Sequence, residues 1–186
     1  MQTLTDFLHQ ETKIERQQKK TGIFVPDFSE MKNQTPHLTN DLFFHNRDIY
    51  ISKHNRYAPY PLHSHQFLEL NYIYSGHCQQ IINGQTYTLY QGDILLMDVG
   101  SKHQIECLEE EDIVINLLFK DNNISLQSLE EMQGNNSLLY HLLLSRHSHL
   151  EISQNFIILR SEALYCGAWA SHDQVVRVYS VIKDRL

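Results

Sequence analysis

The residues with the clearest chemical potential lie in one short run, His63-Ser-His65-Gln-Phe-Leu-Glu69. In an extended strand, residues of equal parity share a face, so His63, His65 and Glu69 are predicted to project the same way. Two imidazoles and a carboxylate on one face form the donor set that open iron, nickel, manganese or zinc sites use. His103 lies further along, after Gly92 and Gly100, and would complete the set if the sheet folds over. The same four residues could instead form a metal-free pocket, because a buried His–Glu network can satisfy its own hydrogen bonds. Phe67, Asn71 and Ile73 share the parity of the donors and are expected to line the same cavity. The opposite face (Leu68, Leu70, Tyr72, Tyr74) is also apolar and needs a cover, which the N-terminal or C-terminal helices would supply. Such a mix of apolar wall and few polar groups suits a small-molecule site.

These residues need a scaffold of strands. From Leu42 to Phe119 short β-branched and aromatic runs alternate with turn residues: 42–45, 48–53, 67–74, 77–82, 85–90, 94–98, 103–107 and 113–119. Asn83-Gly84 supplies the two positive φ angles of a type I′ turn and predicts a tight hairpin. Gln91-Gly92-Asp93 marks the next turn, and so many short strands imply a sandwich or barrel. Before them, Leu4, Phe7, Leu8, Glu11 and Ile14 keep helical spacing, with Thr3 or Thr5 as N-cap and Thr21-Gly22 as the stop. After them, Leu126, Leu129 and Met132 predict a short helix. Leu138–Leu144 predicts a second, and Phe156–Leu159 a buried extended segment. Val175, Tyr179, Ile182 and Leu186 form a helical face that runs to the chain end without a stop residue. The leucine cluster and this last stripe are expected to form a dimer surface.

Composition narrows the possibilities. The chain has 186 residues, a net charge of -7 and 41% hydrophobic residues, a globular balance without the basic patch that duplex binding requires. No DNA-binding residue is therefore assigned. The three cysteines (Cys78, Cys107, Cys166) form no CxxC pair, which argues for a reducing compartment and against a disulfide framework. No signal peptide or membrane-spanning run is present in the sequence, so a cytoplasmic location is expected. Twelve histidines invite a metal reading, but His37, His45, His54, His147 and His149 stand in polar surroundings without ligand spacing. The acidic run Glu109–Asp112 reads as a solvated loop.

The run HSHQFLELNYIYSG (63–76) resembles the first cupin motif, with Glu69 and Gly76 in place and Tyr57 where a glycine should open it. GDILLMDVGSKH (92–103) resembles the second motif; Gly92, Gly100 and His103 match, while Asp98 replaces a proline and Cys107 an asparagine. Both motifs in order, with the hairpin on INGQTYTL between them, resemble the sensor domain of AraC-type transcription regulators. That resemblance implies a mainly β cupin barrel (40–121) after an N-terminal helix and arm (1–39), then a helical linker and dimerisation region (122–186). It also implies a homodimer that binds a small-molecule effector, with a sugar as the family-level example, and that touches DNA only through a C-terminal domain this chain lacks. No catalytic residue is expected, and one divalent metal is the possible cofactor. A mononuclear-metal cupin enzyme, a dioxygenase or isomerase, is the competing expectation. The extension beyond Phe119, which catalysis does not require, weighs against it.

Overall fold

A computed structural model describes residues 3–28, 36–120 and 156–161. Two short helices, α1 (Leu4–His9) and α2 (Lys13–Thr21), precede β1 (His37–Leu38), β2 (Ile49–Lys53), β3 (Tyr60–His65), β4 (Leu68–Ser75), β5 (His77–Ile82) and β6 (Gln85–Tyr90). The order continues with β7 (Ile94–Met97), β8 (His103–Ile105), β9 (Ile113–Phe119) and β10 (Phe156–Leu159). The fold is mainly β: the described residues form two five-stranded sheets, β1-β3-β8-β5-β6 and β10-β7-β4-β9-β2. The space between them is filled from both sides. Tyr60, Cys78, Ile82, Leu89 and Ile105 of the first sheet meet Ile73, Leu95, Met97, Val114 and Leu118 of the second. The expected helices after Phe119, and the dimer surface assigned to them, fall outside the described residues.

Local chemistry explains most of the strands. Ile82 pairs with Gln85 across Asn83 and Gly84, whose φ angles are +51° and +85°, so the hairpin forms on the predicted two-residue turn. Gly76 ends β4 at φ +68°, and a Cβ there would lie 2.1 Å from Asp112 Oδ1, so the position admits only glycine. Asp112 itself corrects one expectation. It is buried, accepting hydrogen bonds from the backbone N–H groups of His77 (2.8 Å) and Glu109 (2.9 Å); only the first three residues of the acidic run are exposed.

Two further expectations need revision. Residues 42–45 are not a strand. Asn40–Leu42 form a 3-10 turn, and Phe43 and Phe44 pack into the core as a bend rather than alternating across a sheet. The single N-terminal helix is in fact two. Thr3 with Asp6 and Thr12 with Glu15 each form a capping box, so the second box restarts the helix after a break at Gln10. Helix α1 covers the outer face of the second sheet, where Leu8 packs with Leu68, Leu70, Leu96 and Leu117 and Thr5 Oγ1 lies 2.7 Å from the Tyr74 hydroxyl. The N-terminal helices thus provide the cover that the apolar face of β4 requires.

Helix α2 is fastened by a buried ion cluster. Glu15, fully buried, accepts from Arg56 Nε (2.8 Å) and Lys53 Nζ (2.8 Å) while its other bonds cap the helix at Thr12 N (2.7 Å). Burial pushes the Glu15 carboxyl up, but the hydrogen bonds from Arg56, Lys53 and Thr12 outweigh it and hold it below the usual range. Arg56 also donates to the carbonyls of Glu110 (2.6 Å) and His9 (3.0 Å). Next to it, Tyr57 occupies the left-handed region at φ +72°, where the cupin motif has glycine. Its ring is held between Lys19 (4.8 Å) and Arg56 (5.1 Å).

Candidate functional site

The histidine and glutamate side chains converge, although not along a single strand. The chain leaves β3 at His65, turns through Gln66-Phe67 and enters β4, which belongs to the other sheet. Equal parity therefore selects the right residues for a different reason: both sheets turn these positions toward the shared interior. His103 arrives by strand pairing, directly opposite His63 across β3–β8, with the two rings 4.1 Å apart between centroids. A register shift between Tyr60 and His63 turns Tyr60 inward as well.

One ligand atom each from His63, Glu69 and His103 lie within 4.8 Å of one another. His65 stands at the side of this triad, with Nε2 at 3.6 Å from Glu69 Oε2, the same distance as His103 Nε2. Phe67 stacks on the His65 ring at 4.9 Å. Asn71 is fully buried and donates to Glu69 Oε1 at 2.9 Å. Ile73 belongs to the apolar core between the sheets rather than to the polar group.

Hydrogen bonds fix the protonation of each ring. His63 Nδ1 lies 2.9 Å from the Pro61 carbonyl, His65 Nδ1 2.6 Å from the Phe67 carbonyl, and His103 Nδ1 3.2 Å from Gln80 Oε1. All three partners only accept, so each Nδ1 carries the proton and each neutral ring keeps a bare Nε2. Burial holds the imidazoles neutral, pushing His63 and His65 down to about 4 and His103 well below the usual range. The Nε2 atoms of His65 and His103 are buried without any hydrogen-bond partner. Burial raises the Glu69 carboxyl against the lowering effects of His63 and Asn71. Rings pinned through Nδ1 to carbonyl oxygens, with unpartnered Nε2 lone pairs beside a carboxylate, suit a divalent ion. His63, Glu69 and His103 would hold such an ion, with His65 completing the set, and it would supply Lewis acidity or an activated water.

An amide chain extends from this cluster. Gln80 Nε2 donates to Asn71 Oδ1 (2.9 Å), Asn71 Nδ2 to Asn116 Oδ1 (3.0 Å), and Asn116 Nδ2 lies 3.4 Å from His54 Nδ1. His54 must accept there, so its proton sits on Nε2, the reverse of the other three histidines. Although its sequence surroundings are polar, His54 is buried against Tyr60 at 5.0 Å, and burial together with His63 pushes it down to about 4. Its place depends on Asn116 of β9, which pairs with β2 just before it; no spacing in the sequence connects the two.

A cavity of about 720 Å³ opens onto this polar interior. Its lining joins His63, Phe67, Glu69, Tyr60, His54 and Asn55 of the barrel to Asp27, residues 7–8 and residues 10–14 of the N-terminal segment. Asp27 lines the cavity and is solvent-exposed. The protein around it still desolvates the carboxyl enough to push it up to about 6, despite a 3.0 Å hydrogen bond from Asn55 Nδ2. A raised folded-state value means that ionising Asp27 destabilises the fold, a penalty absent below about 3.8 and fully present above about 6. Asp27→Asn is therefore expected to raise the melting temperature at pH 7, with the gain fading as the pH falls toward 4. Thermal melts across that range would refute this if the difference were independent of pH.

A family model described as the AraC-like ligand binding domain matches residues 49–161. The chain belongs to that family. Among solved structures, it resembles KdgF from Halomonas sp. (24% identity, 39% of this chain and 70% of that one, TM-score 0.35). It also resembles an RmlC-like cupin from Shewanella frigidimarina (18% identity, 39% and 67%, TM-score 0.35). ToxT from Vibrio cholerae matches over 73% of this chain but 48% of its own, at 12% identity and TM-score 0.48. No curated protein matches the chain. As an AraC-like ligand-binding domain, the chain takes its expected small-molecule role from the family, and no helix among the described residues is long and apolar enough to cross a membrane.

Proposed function

We propose that this domain is the effector-sensing and dimerising module of a cytoplasmic transcription regulator, in which a small molecule in the barrel controls a separate DNA-binding domain. The observation that carries this reading is the shared lining of the cavity: an occupant touches both the barrel interior and the N-terminal helical segment. A ligand shifts a conformational equilibrium only by its differential affinity for two arrangements, and a site lined by two separate parts of the chain can supply that difference. A homodimer fits the output, because paired half-sites on DNA require a two-fold assembly. The test is a thermal-shift screen of sugars, small acids and amines against the wild type and a cavity-filling Ser52→Trp variant. A ligand at 100 times its Kd stabilises by about 2.7 kcal/mol, several degrees for a domain of this size. The reading requires a ligand whose shift disappears in the variant; shifts equal in both proteins would place binding outside the cavity.

A second reading, a mononuclear-metal cupin enzyme, is favoured by the bare Nε2 atoms around Glu69. Untagged protein prepared without chelator is expected to carry near-stoichiometric divalent metal by mass spectrometry. A His63→Ala, His65→Ala double variant is expected to lose it. Steady turnover of a small substrate by the metal-loaded protein would establish the enzyme. Metal-free protein in both preparations would leave the cluster as a polar pocket.

A further inference from the structure

Two hydrogen-bond donors open onto the cavity without an acceptor among the described residues. The amide chain ends in the first of them. Asn71 Nδ2 donates to Asn116 Oδ1 at 3.0 Å, which turns the Asn116 Nδ2 group toward His54 Nδ1 at 3.4 Å. His54 accepts there and carries its proton on Nε2. The second donor is the Tyr60 hydroxyl, on a ring 5.0 Å from that of His54. Burial raises the Tyr60 phenol, so it keeps its proton. Neither donor is sealed away. The enclosed side-chain atoms without a partner among the described residues are Asn40 Oδ1, His65 Nε2 and His103 Nε2. His54 Nε2 and the Tyr60 hydroxyl therefore reach the cavity that both residues line.

The rest of the wall is rich in aromatic rings, and its charges give no preference for an ion. Phe28, Phe43, Tyr50 and Phe67 line the cavity. Phe43 lies 4.8 Å from Phe28, 5.3 Å from Tyr50 and 5.1 Å from Phe67, at 69°, 66° and 72°. Such an edge-to-face set offers a further ring the same contacts. Lys13 and Asp27, of opposite charge, both line the cavity and are both exposed. Lys53 is taken by Glu15 at 2.8 Å, Glu11 by Lys19 at 2.7 Å, and Glu69 by the Asn71 amide at 2.9 Å. A carbonyl oxygen has two lone pairs and no proton to place, and so answers two donors. A carboxylate would bring a full charge to neutral groups, and a polyol would need a partner for each hydroxyl along an aromatic wall.

We propose that the cavity takes a small uncharged aromatic carbonyl compound, an aryl ketone in its simplest form. Its oxygen accepts from the Tyr60 hydroxyl and His54 Nε2, and its ring packs against Phe28, Phe43, Tyr50 and Phe67. The assignment rests on the ligand-sensing reading and specifies its ligand class.

Matched pairs that exchange the carbonyl oxygen for a methylene group test it. Equilibrium dialysis of the whole chain would compare acetophenone with α-methylstyrene, and benzophenone with 1,1-diphenylethylene. At least one ketone is expected to bind, and to bind about tenfold more weakly to Tyr60→Phe, a difference of about 1.4 kcal/mol for one hydrogen bond. The variant keeps the ring, so the matching alkene is expected to lose far less. His54→Phe is expected to repeat the pattern. Acetophenone is also expected to outbind cyclohexyl methyl ketone, which lacks the aromatic ring. The proposal is overturned if neither ketone binds, if Tyr60→Phe weakens the ketone no more than the alkene, or if the cyclohexyl compound binds as tightly. Binding of L-arabinose, benzoate or choline in place of both ketones would also overturn it, yet would leave ligand sensing intact, so the two failures are distinguishable.

Discussion

Glu15→Ala is expected to lower the stability of the domain by about 3–5 kcal/mol, the usual consequence of removing one partner from a buried ion pair. Arg56 is 1% exposed and would lose its carboxylate while remaining inside the protein. Lys53, with 10% of its side chain exposed, would lose its counter-ion too. The same substitution removes the carboxylate half of the capping box on Thr12. Urea denaturation followed by circular dichroism reads the change directly. A Glu15→Met, Arg56→Met double variant tests the cause, because it removes the more deeply buried of the two cations that Glu15→Ala leaves unpaired. It is expected to recover much of the loss. A loss below about 1 kcal/mol for Glu15→Ala would mean that the cluster is solvated and does not fasten α2. The lowered Glu15 carboxyl also fixes the sign of the pH dependence. Its stabilisation is complete above the unfolded value of about 4.5 and is lost as the pH falls through the lower folded value.

The second large effect is expected at Asn71. Its one side chain donates to Glu69 Oε1 and Asn116 Oδ1 and accepts from Gln80 Nε2, all within 3.0 Å. Asn71→Leu keeps the volume near constant but leaves the Glu69 and Asn116 oxygens without a donor and Gln80 Nε2 with only the Cys78 sulfur at 3.6 Å. At about 1–3 kcal/mol for each of the two oxygens, a loss of roughly 2–6 kcal/mol is expected. The variant also releases Gln80, whose Oε1 fixes the proton of His103 on Nδ1. Nitrogen-15 NMR of the imidazoles would therefore show His103 populating both tautomers in the variant and one in the wild type. An unchanged spectrum would show that the amide chain does not set the tautomer.

The strands and their turns were legible because they follow local rules. Asn83-Gly84 can hardly do anything but turn, and the ranges of β5, β6 and β9 match the alternation of the sequence. The donor residues were legible from their chemical types and motif spacing. Their arrangement was not, because a corner between sheets at Gln66-Phe67 is not visible in a parity count. Long-range pairing decided what the sequence hid. His54 stands in a polar run without ligand spacing, and only the pairing of β2 with β9 brings Asn116 beside it. Glu15 and Arg56 sit in ordinary polar runs, and nothing near either predicts that both would be buried. Phe43-Phe44 looked like strand because it is aromatic. Its preference for the core was satisfied by a bend, where Phe43 meets Phe28, Tyr50 and Phe67.

The bonds of Arg56 also have a consequence for the order of assembly. Its guanidinium joins Glu15, His9 and Glu110, partners 41, 47 and 54 residues away along the chain. Contacts this distant must await the closure of the intervening loops. On the ribosome the N-terminal helices emerge before the strands, yet their anchor is complete only after Glu110 has been made and the strands around it have formed. A segment made ahead of the barrel is thus secured only after the barrel.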